Sequence, residues 1–344
     1  MSPCGALRTG SSIKPTQSFG LRPARDRRAG RPLWAKLSAK DSTRSNVMEL
    51  LRDFGFVACM KDRFDPLIAD RAPWLFHERT HAHLARGALT KLLSYGKTLR
   101  LASEFEAEAT ASIMGRLGRL LARDVDVTGL ANIPRNGPAL IVANHPTGIA
   151  DGIILHHLIA SIRPDLFFYA NGDILKVLPQ MDDMIVPVEW KPERRSLKKT
   201  RLTMSLTRTA VEEGRLGVIF PSGRLAKRRG LKLHERPWMP SAAMIARKFE
   251  LPVIPINIRA RNSVLFYLFD LIHPTLRDIT LFHETLNKHR QPFRLTIGEP
   301  VSGAGLPAHS EDGIAVLRRA TLALGGAHAP AVSLVDSSRR PAWV

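Results

Sequence analysis

From Val125 onward, short apolar runs alternate with longer stretches whose apolar positions recur three and four residues apart. The runs predict strands near 125–130, 138–144, 165–170, 184–188, 216–220, 253–258 and 293–298. The stretches between them predict helices over 149–162, 195–213 and 239–249, helical turns over 263–288 and a short helix near 311–324. Runs such as PALIVA (Pro138 to Ala143) and LPVIPINI (Leu251 to Ile258) are apolar at nearly every position, which suits strands buried on both faces. The expected fold class is therefore α/β, a mixed and largely parallel sheet covered by helices. Upstream, 47–122 reads as a helical segment. Leu84, Ala88, Leu92, Tyr95 and Leu99 follow one another at helical spacing, with Arg86, Lys91, Lys97 and Arg100 elsewhere on the wheel. Such a helix either packs against its own domain or lies in a membrane interface.

Charge adds the next constraint. The chain carries a formal net charge of +20, concentrated in two places. Residues 1–45 hold ten Lys/Arg against two Asp/Glu, and 189–232 hold thirteen against four, around KPERRSLKKTR and KRRGLK. An anionic counterpart is implied, either membrane lipid or nucleic acid. Aromatic residues make up only 6% of the chain and none is interleaved with the basic runs, so no nucleic acid is expected. No run approaches 18 consecutive apolar residues, which argues against a spanning helix. Residues 1–46 are Arg- and Ser-rich with almost no acid. They read as a disordered basic arm, a transit-like leader or residues upstream of a start at Met48, and are set outside the fold. The hydrophobic content of 44% supplies a core. Two distant cysteines, Cys4 and Cys59, suggest neither a disulfide framework nor a thiolate metal site, which fits a cytoplasm-facing protein. The region 303–344 reads as a short helix followed by a disordered tail.

The chemistry is expected where PALIVA runs into NHPTGIAD, Asn144 to Asp151. Pro146 disfavours helical backbone at His145, which is therefore expected to lie extended at the strand's end. Asp151 falls in the first turn of the following helix, where negative charge is favoured. A carboxylate so placed reaches back to hold an imidazole, and a held imidazole takes a proton from a hydroxyl at neutral pH. Pro221 to Arg224 follow another strand in the same way, and ligands of such sheets gather beyond the carboxyl ends of strands. Backbone amides at Thr147 and Gly148 are candidates for stabilising an oxyanion.

NHPTGIAD resembles the first motif of the glycerolipid acyltransferases, the lysophosphatidic-acid-type family defined by a nearby His and Asp. VIFPSGRLAK (Val218 to Lys227) resembles that family's third motif and LPVIPINI its fourth, in the same order. The resemblance covers Val125 to about Pro300 and sets an acyltransferase domain at 123–302 with a glycerol-phosphate-acyltransferase-like fold. The stretch LIHPTLRDITLFHETLNKHRQPFRLTIGEPV further resembles the bacterial hemolysin-like or ornithine-lipid acyltransferase subgroup. By this resemblance His145 and Asp151 are the catalytic pair. Asn144, Thr147, Gly148, Pro221, Ser222, Gly223, Arg224 and Lys227 line the substrate, with Arg224 and Lys227 holding an acidic head group. It also implies an acyl-CoA or acyl-carrier-protein donor, a lysolipid acceptor, anionic membrane lipid as a partner, no metal or redox cofactor, and a peripheral or monotopic place at the cytoplasmic face of a membrane. Two departures stand out. Five residues, rather than the common four, separate His145 from Asp151, and Ser222 stands where the family carries glutamate. The acceptor is accordingly expected to be something other than plain glycerol phosphate. After the strand near Val188, Glu189 stands where a basic residue is common, with Arg194 and Arg195 a little beyond.

A competing motif lies at 77–81, HERTH, which matches the zinc-protease pattern His-Glu-x-x-His. If helical, it would set His77 and His81 on one face with Glu78 beside them. Arg79 and Thr80 are polar where a buried zinc helix favours apolar side chains, and no third histidine follows at the expected spacing. A serine-hydrolase elbow of the form Gly-x-Ser-x-Gly is absent.

Overall fold

The computed structural model describes residues 60–189, 192–326 and 331–334. The basic arm expected over 1–46 lies outside the described residues, as does the tail beyond 334. Contacts divide the chain at Arg63, and the unit Phe64–Val344 carries everything below.

This unit opens with helices: α1 (64–71), α2 (Thr80–Leu92), α3 (Tyr95–Phe105) and α4 (Thr110–Leu121). The strands of the main sheet are β1 (Val125–Thr128), β2 (Ala139–Ala143), β3 (Leu166–Asn171), β4 (Ile185–Val188), β5 (Leu216–Ile219), β8 (Val253–Arg259) and β9 (Phe293–Ile297). Each of the seven expected strands is present, within one or two residues of its predicted bounds. Their order is β1-β9-β8-β2-β5-β3-β4, and only the β8–β9 pairing is antiparallel. The central strand β2 is buried at every position, as a strand covered on both faces must be. At the β1 edge, burial alternates residue by residue, the signature of one wet face.

Helices cover both faces. On one side α7 (Leu197–Glu212), α8 (Ser241–Lys248) and α12 (Ser310–Ala323) pack on Leu140, Val142, Phe167 and Tyr169. On the other lies α5 (Ile149–Ile159), backed by α4 and α11 (Leu281–Leu286). Gly152 of α5 comes close enough to Phe168 that an added methyl would touch its ring. The turns expected over 263–288 resolve into α9 (Val264–Ile272), α10 (Pro274–Ile279) and α11, and a short α6 (Asp173–Val177) follows β3. A second, three-stranded antiparallel sheet joins β6 (Lys227–Arg229), β7 (Lys232–His234) and β10 (Ala331–Ser333). These three-residue strands, two of them charged, are too short to show apolar alternation and were not expected.

The continuous amphipathic helix read through Leu84 and Leu99 is broken. Ser94 adopts left-handed backbone (φ 52°), separating α2 from α3. The later half of the stripe turns inward at Leu99, while Leu84 and Leu92 of α2 stay 73% and 51% exposed.

The amino end of the sheet is tied by one side chain. Arg163 is nearly buried and forks onto Asp165 through Nε and Nη2, at 2.8 and 2.6 Å. Its remaining donors reach the carbonyls of Pro134, Gly137 and Gly214. The loops preceding β2, β3 and β5 are thereby held together. The Arg163 hydrogen bond also pulls the Asp165 carboxyl below its ordinary value, so its stabilising effect is present above that value and fades as pH falls through the lowered one. A lysine has three donors on a single atom and cannot span this fan. Arg163→Lys is expected to cost about 2 kcal/mol in a denaturant titration. Because the clamp lies at the opposite end from His145, the surroundings of that histidine should not change.

Candidate active site

Beyond the carboxyl ends of three adjacent parallel strands, β8, β2 and β5, the chain forms one constellation. Asn144 follows β2 and extends the sheet by proxy: its side-chain amide donates to the Ile258 carbonyl at 2.8 Å and accepts from the Ile258 amide at 2.7 Å. Both amide groups are committed to β8, so Asn144 is a stitch between strands in place of the substrate contact expected of it.

His145 comes next, then Pro146 and Thr147, and Gly148 turns the chain into α5. Gly148 sits at φ 102°, and a Cβ there would press on Leu225 and Leu281. That turn brings Asp151 back under the loop. Its Oδ2 accepts from the amides of Thr147 and Gly148 at 2.9 and 3.0 Å, and its Oδ1 from the Thr147 hydroxyl at 2.5 Å. The same Oδ2 lies 3.0 Å from His145 Nδ1. The approach is off the N–H direction, so the two make a close polar contact without a well-aligned hydrogen bond. Asp151 is sealed at 0% side-chain exposure, whereas the imidazole is 19% exposed, which leaves the pair with one buried and one open end.

These bonds revise two expectations. The Thr147 and Gly148 amides are spent on Asp151 and do not point at a reacting carbonyl. Thr147 itself is buried and holds the carboxylate.

The imidazole is fixed from two further directions. Phe220, immediately after β5, stacks on it with ring centroids 4.3 Å apart and planes 26° from parallel. Glu235, on the loop after β7, accepts from the His145 amide through Oε2 at 3.2 Å and from the Trp238 indole through Oε1 at 2.9 Å. Burial pushes the Glu235 carboxyl above its ordinary value, against the opposing pull of Trp238 and His145. Neither residue was singled out from the sequence. Phe220 was visible as the phenylalanine of VIFPSGR, but nothing marked Glu235, whose link to His145 spans 90 residues.

The Pro221–Lys227 loop wraps the same histidine. Ala226 donates its amide to the His145 carbonyl, Pro221 accepts from the Met239 amide, and Gly223 closes the turn at φ 57°. Ser222 is buried and its hydroxyl bonds the Arg224 carbonyl, so it shapes the loop rather than facing substrate. Arg224 and Lys227 are exposed on the rim. Farther along the sheet, Arg194 pairs with Asp70 and Lys199 with Glu189, part of a charged cleft by the ends of β3 and β4.

The zinc-protease alternative loses its geometry. α2 begins at Thr80, and His77 and Glu78 lie before it in a bend, so His77 and His81 do not share a helical face. All three side chains are exposed.

Residues 124–259, which hold the NHPTGIAD loop beyond the central strand of the helix-covered sheet, match the family model described as Acyltransferase. The chain is 25% identical over 183 residues to a lyso-glycine lipid O-acyltransferase of Phocaeicola vulgatus, covering 52% of this chain and 64% of that one. A lyso-glycine lipid O-acyltransferase of Bacteroides thetaiotaomicron is 22% identical over 183 residues, covering 52% and 65%. The chain thus spans less than two thirds of the length of these relatives. The crystal structure of the 1-acyl-sn-glycerophosphate (LPA) acyltransferase PlsC from Thermotoga maritima superposes with a TM-score of 0.41 at 18% identity, over 83% of this chain and 98% of that one.

Proposed function

We propose that this protein transfers a fatty acyl group from an acyl thioester, acyl-CoA or acyl carrier protein, to the hydroxyl of a lysophospholipid-like acceptor. The observation that carries the reading is the sealed Asp151 carboxylate 3.0 Å from the open His145 imidazole. A thioester is already activated, so the protein's task is to place a hydroxyl and take its proton. Nε2 of His145 removes that proton as the oxygen attacks the thioester carbonyl, while Asp151 balances the imidazolium. Collapse of the tetrahedral intermediate breaks the C–S bond, and the departing thiolate recovers the proton from His145. Arg224 and Lys227 hold the acidic end of the acceptor on the rim.

The reaction belongs at a membrane surface, because an acyl chain and a lysolipid both partition there. The basic stretch over 189–232 and the exposed leucines of α2 support a peripheral or monotopic attachment, on the cytoplasmic side where donors are made. The relatives' printed names support the acceptor class: a lyso-amino-acid lipid before lysophosphatidic acid.

The test is direct. Purified full-length protein is incubated with labelled acyl carrier protein or acyl-CoA and either lyso-glycine lipid or lysophosphatidic acid. A labelled diacyl product is expected, more abundant with the amino-acid lipid. Label appearing in neither product, or only as free fatty acid, overturns the proposal.

A further inference from the structure

Helix α9 is built with two opposed apolar faces. Phe266 and Phe269 point inward and are buried. Val264, Leu268, Leu271 and Ile272 point outward and are 76%, 50%, 66% and 62% exposed. Their spacing of four, three and one residues puts all four on one stripe. This is not the frayed end of a core helix. Ser263 caps the first turn by accepting from the Phe266 amide, and Glu284 of α11 grips both the Ser263 amide and hydroxyl. Glu284 is itself buried against Lys288. The helix is firmly held and its outer stripe stands in water.

Beside it lies the β6–β7 hairpin. Arg228 Nε is 4.0 Å from Asp270 of α9, and Arg277 of α10 takes the other oxygen of the same carboxylate at 3.0 Å. The hairpin tip exposes Leu231 between two further exposed cations, Arg229 and Lys232. Apolar side chains bordered by exposed cations are complementary to an acyl layer under anionic head groups.

The location matters as much as the composition. α9 leaves the carboxyl end of β8, the strand stitched to Asn144. The hairpin starts at Lys227, directly after the Ala226 amide that holds the His145 carbonyl. The two elements therefore flank the histidine on either side of β2. We infer that the outer stripe of α9 and the tip of the β6–β7 hairpin form one docking face for an anionic lipid bilayer, setting the His145 mouth against the membrane. The use of this face rests on the acyltransferase reading, but the contact itself is measurable without it.

Vesicles of phosphatidylglycerol and phosphatidylcholine, with pure phosphatidylcholine as comparison, are sedimented with the full chain. Leu268→Glu/Leu271→Glu is expected to lower partition at least tenfold on both compositions. Arg229→Glu/Lys232→Glu is expected to lower it several-fold on the anionic vesicles only, and to abolish part of its salt dependence. Unchanged melting temperatures check that these exposed substitutions leave the fold intact. In the transfer assay, the leucine variant should keep wild-type turnover of a short-chain, monomeric lysolipid and lose it on vesicle-embedded lysolipid. Partition unaltered by both variants overturns the inference. So does a wild-type dimer that the leucine variant dissociates without changing partition, which would make the stripe an interface between copies. Normal partition changes with no acyl transfer to any acceptor would instead overturn the activity and leave the docking face standing.

Discussion

His145→Ala is expected to lower acyl transfer by about 10²–10⁴-fold, the range that general-base assistance supplies. The fold should survive because the histidine's well-aligned hydrogen bonds run through its backbone: its amide goes to Glu235 and its carbonyl to Ala226. Alanine keeps both. Asp151→Asn should fall in the same range while also keeping the fold, for a reason visible in its contacts. The amide oxygen of asparagine can take the place of Oδ2 and accept from Thr147 and Gly148. Its NH₂ then stands at Oδ1, where the Thr147 hydroxyl can turn and accept. What disappears is the charge opposite the imidazolium. Single-turnover transfer from labelled acyl thioester, with melting temperature as the control, measures both variants. A His145→Ala enzyme within tenfold of wild type would remove the base from the mechanism.

Glu235→Gln is expected to lower kcat about tenfold or more with little change in KM for the acceptor. On the proposed mechanism Glu235 acts by holding the backbone of the base, His145. A carboxylate accepts on both oxygens, from the His145 amide and the Trp238 indole, whereas glutamine must turn an NH₂ toward one of those donors. An unmatched buried donor costs about 1–3 kcal/mol. A displacement of the base by about 1 Å can cost a hundredfold in rate. Trp238→Phe separates the two effects, because it removes the indole partner and leaves the His145 tether: stability should drop while kcat holds. The carboxyl's raised value adds a pH signature. A group that binds its proton more tightly when folded stabilises the fold below its ordinary value, near 4.5, and that contribution is lost as pH climbs through the raised one. The melting-temperature difference between wild type and Glu235→Gln should therefore shrink as pH rises across that window. Activity that merely follows the folded fraction would reduce Glu235 to a structural residue.

Strands such as ALIVA and VIPINIR were legible because full burial on both faces demands uninterrupted apolar residues, a demand met within a few positions of chain. The loop NHPTGIAD was legible for a similar reason. Pro146, Gly148 and Asp151 each impose a local backbone or charge preference, and the three agree on a strand-to-helix turn. HERTH shows the limit of such reasoning. Its side-chain spacing requires a helix, and the helix starts three residues too late at Thr80. The break at Ser94 was equally invisible, since the apolar spacing of Leu84 to Leu99 runs straight through it.

Local preference thus decided on its own which segments are strands and which histidine and aspartate meet after one of them, because an apolar run, a proline, a glycine and a first-turn carboxylate each act within a handful of residues. Which groups remain available there was decided only in three dimensions. Asn144 is consumed by Ile258, 114 residues away, the Thr147 and Gly148 amides by a carboxylate, and the His145 amide by Glu235. The outward turn of Leu268 and Leu271 was settled the same way, by what Phe266 and Phe269 found on the opposite side. A hydrogen bond or a buried face depends on the partner that arrives, and the arrival of a distant partner leaves no periodicity in the chain.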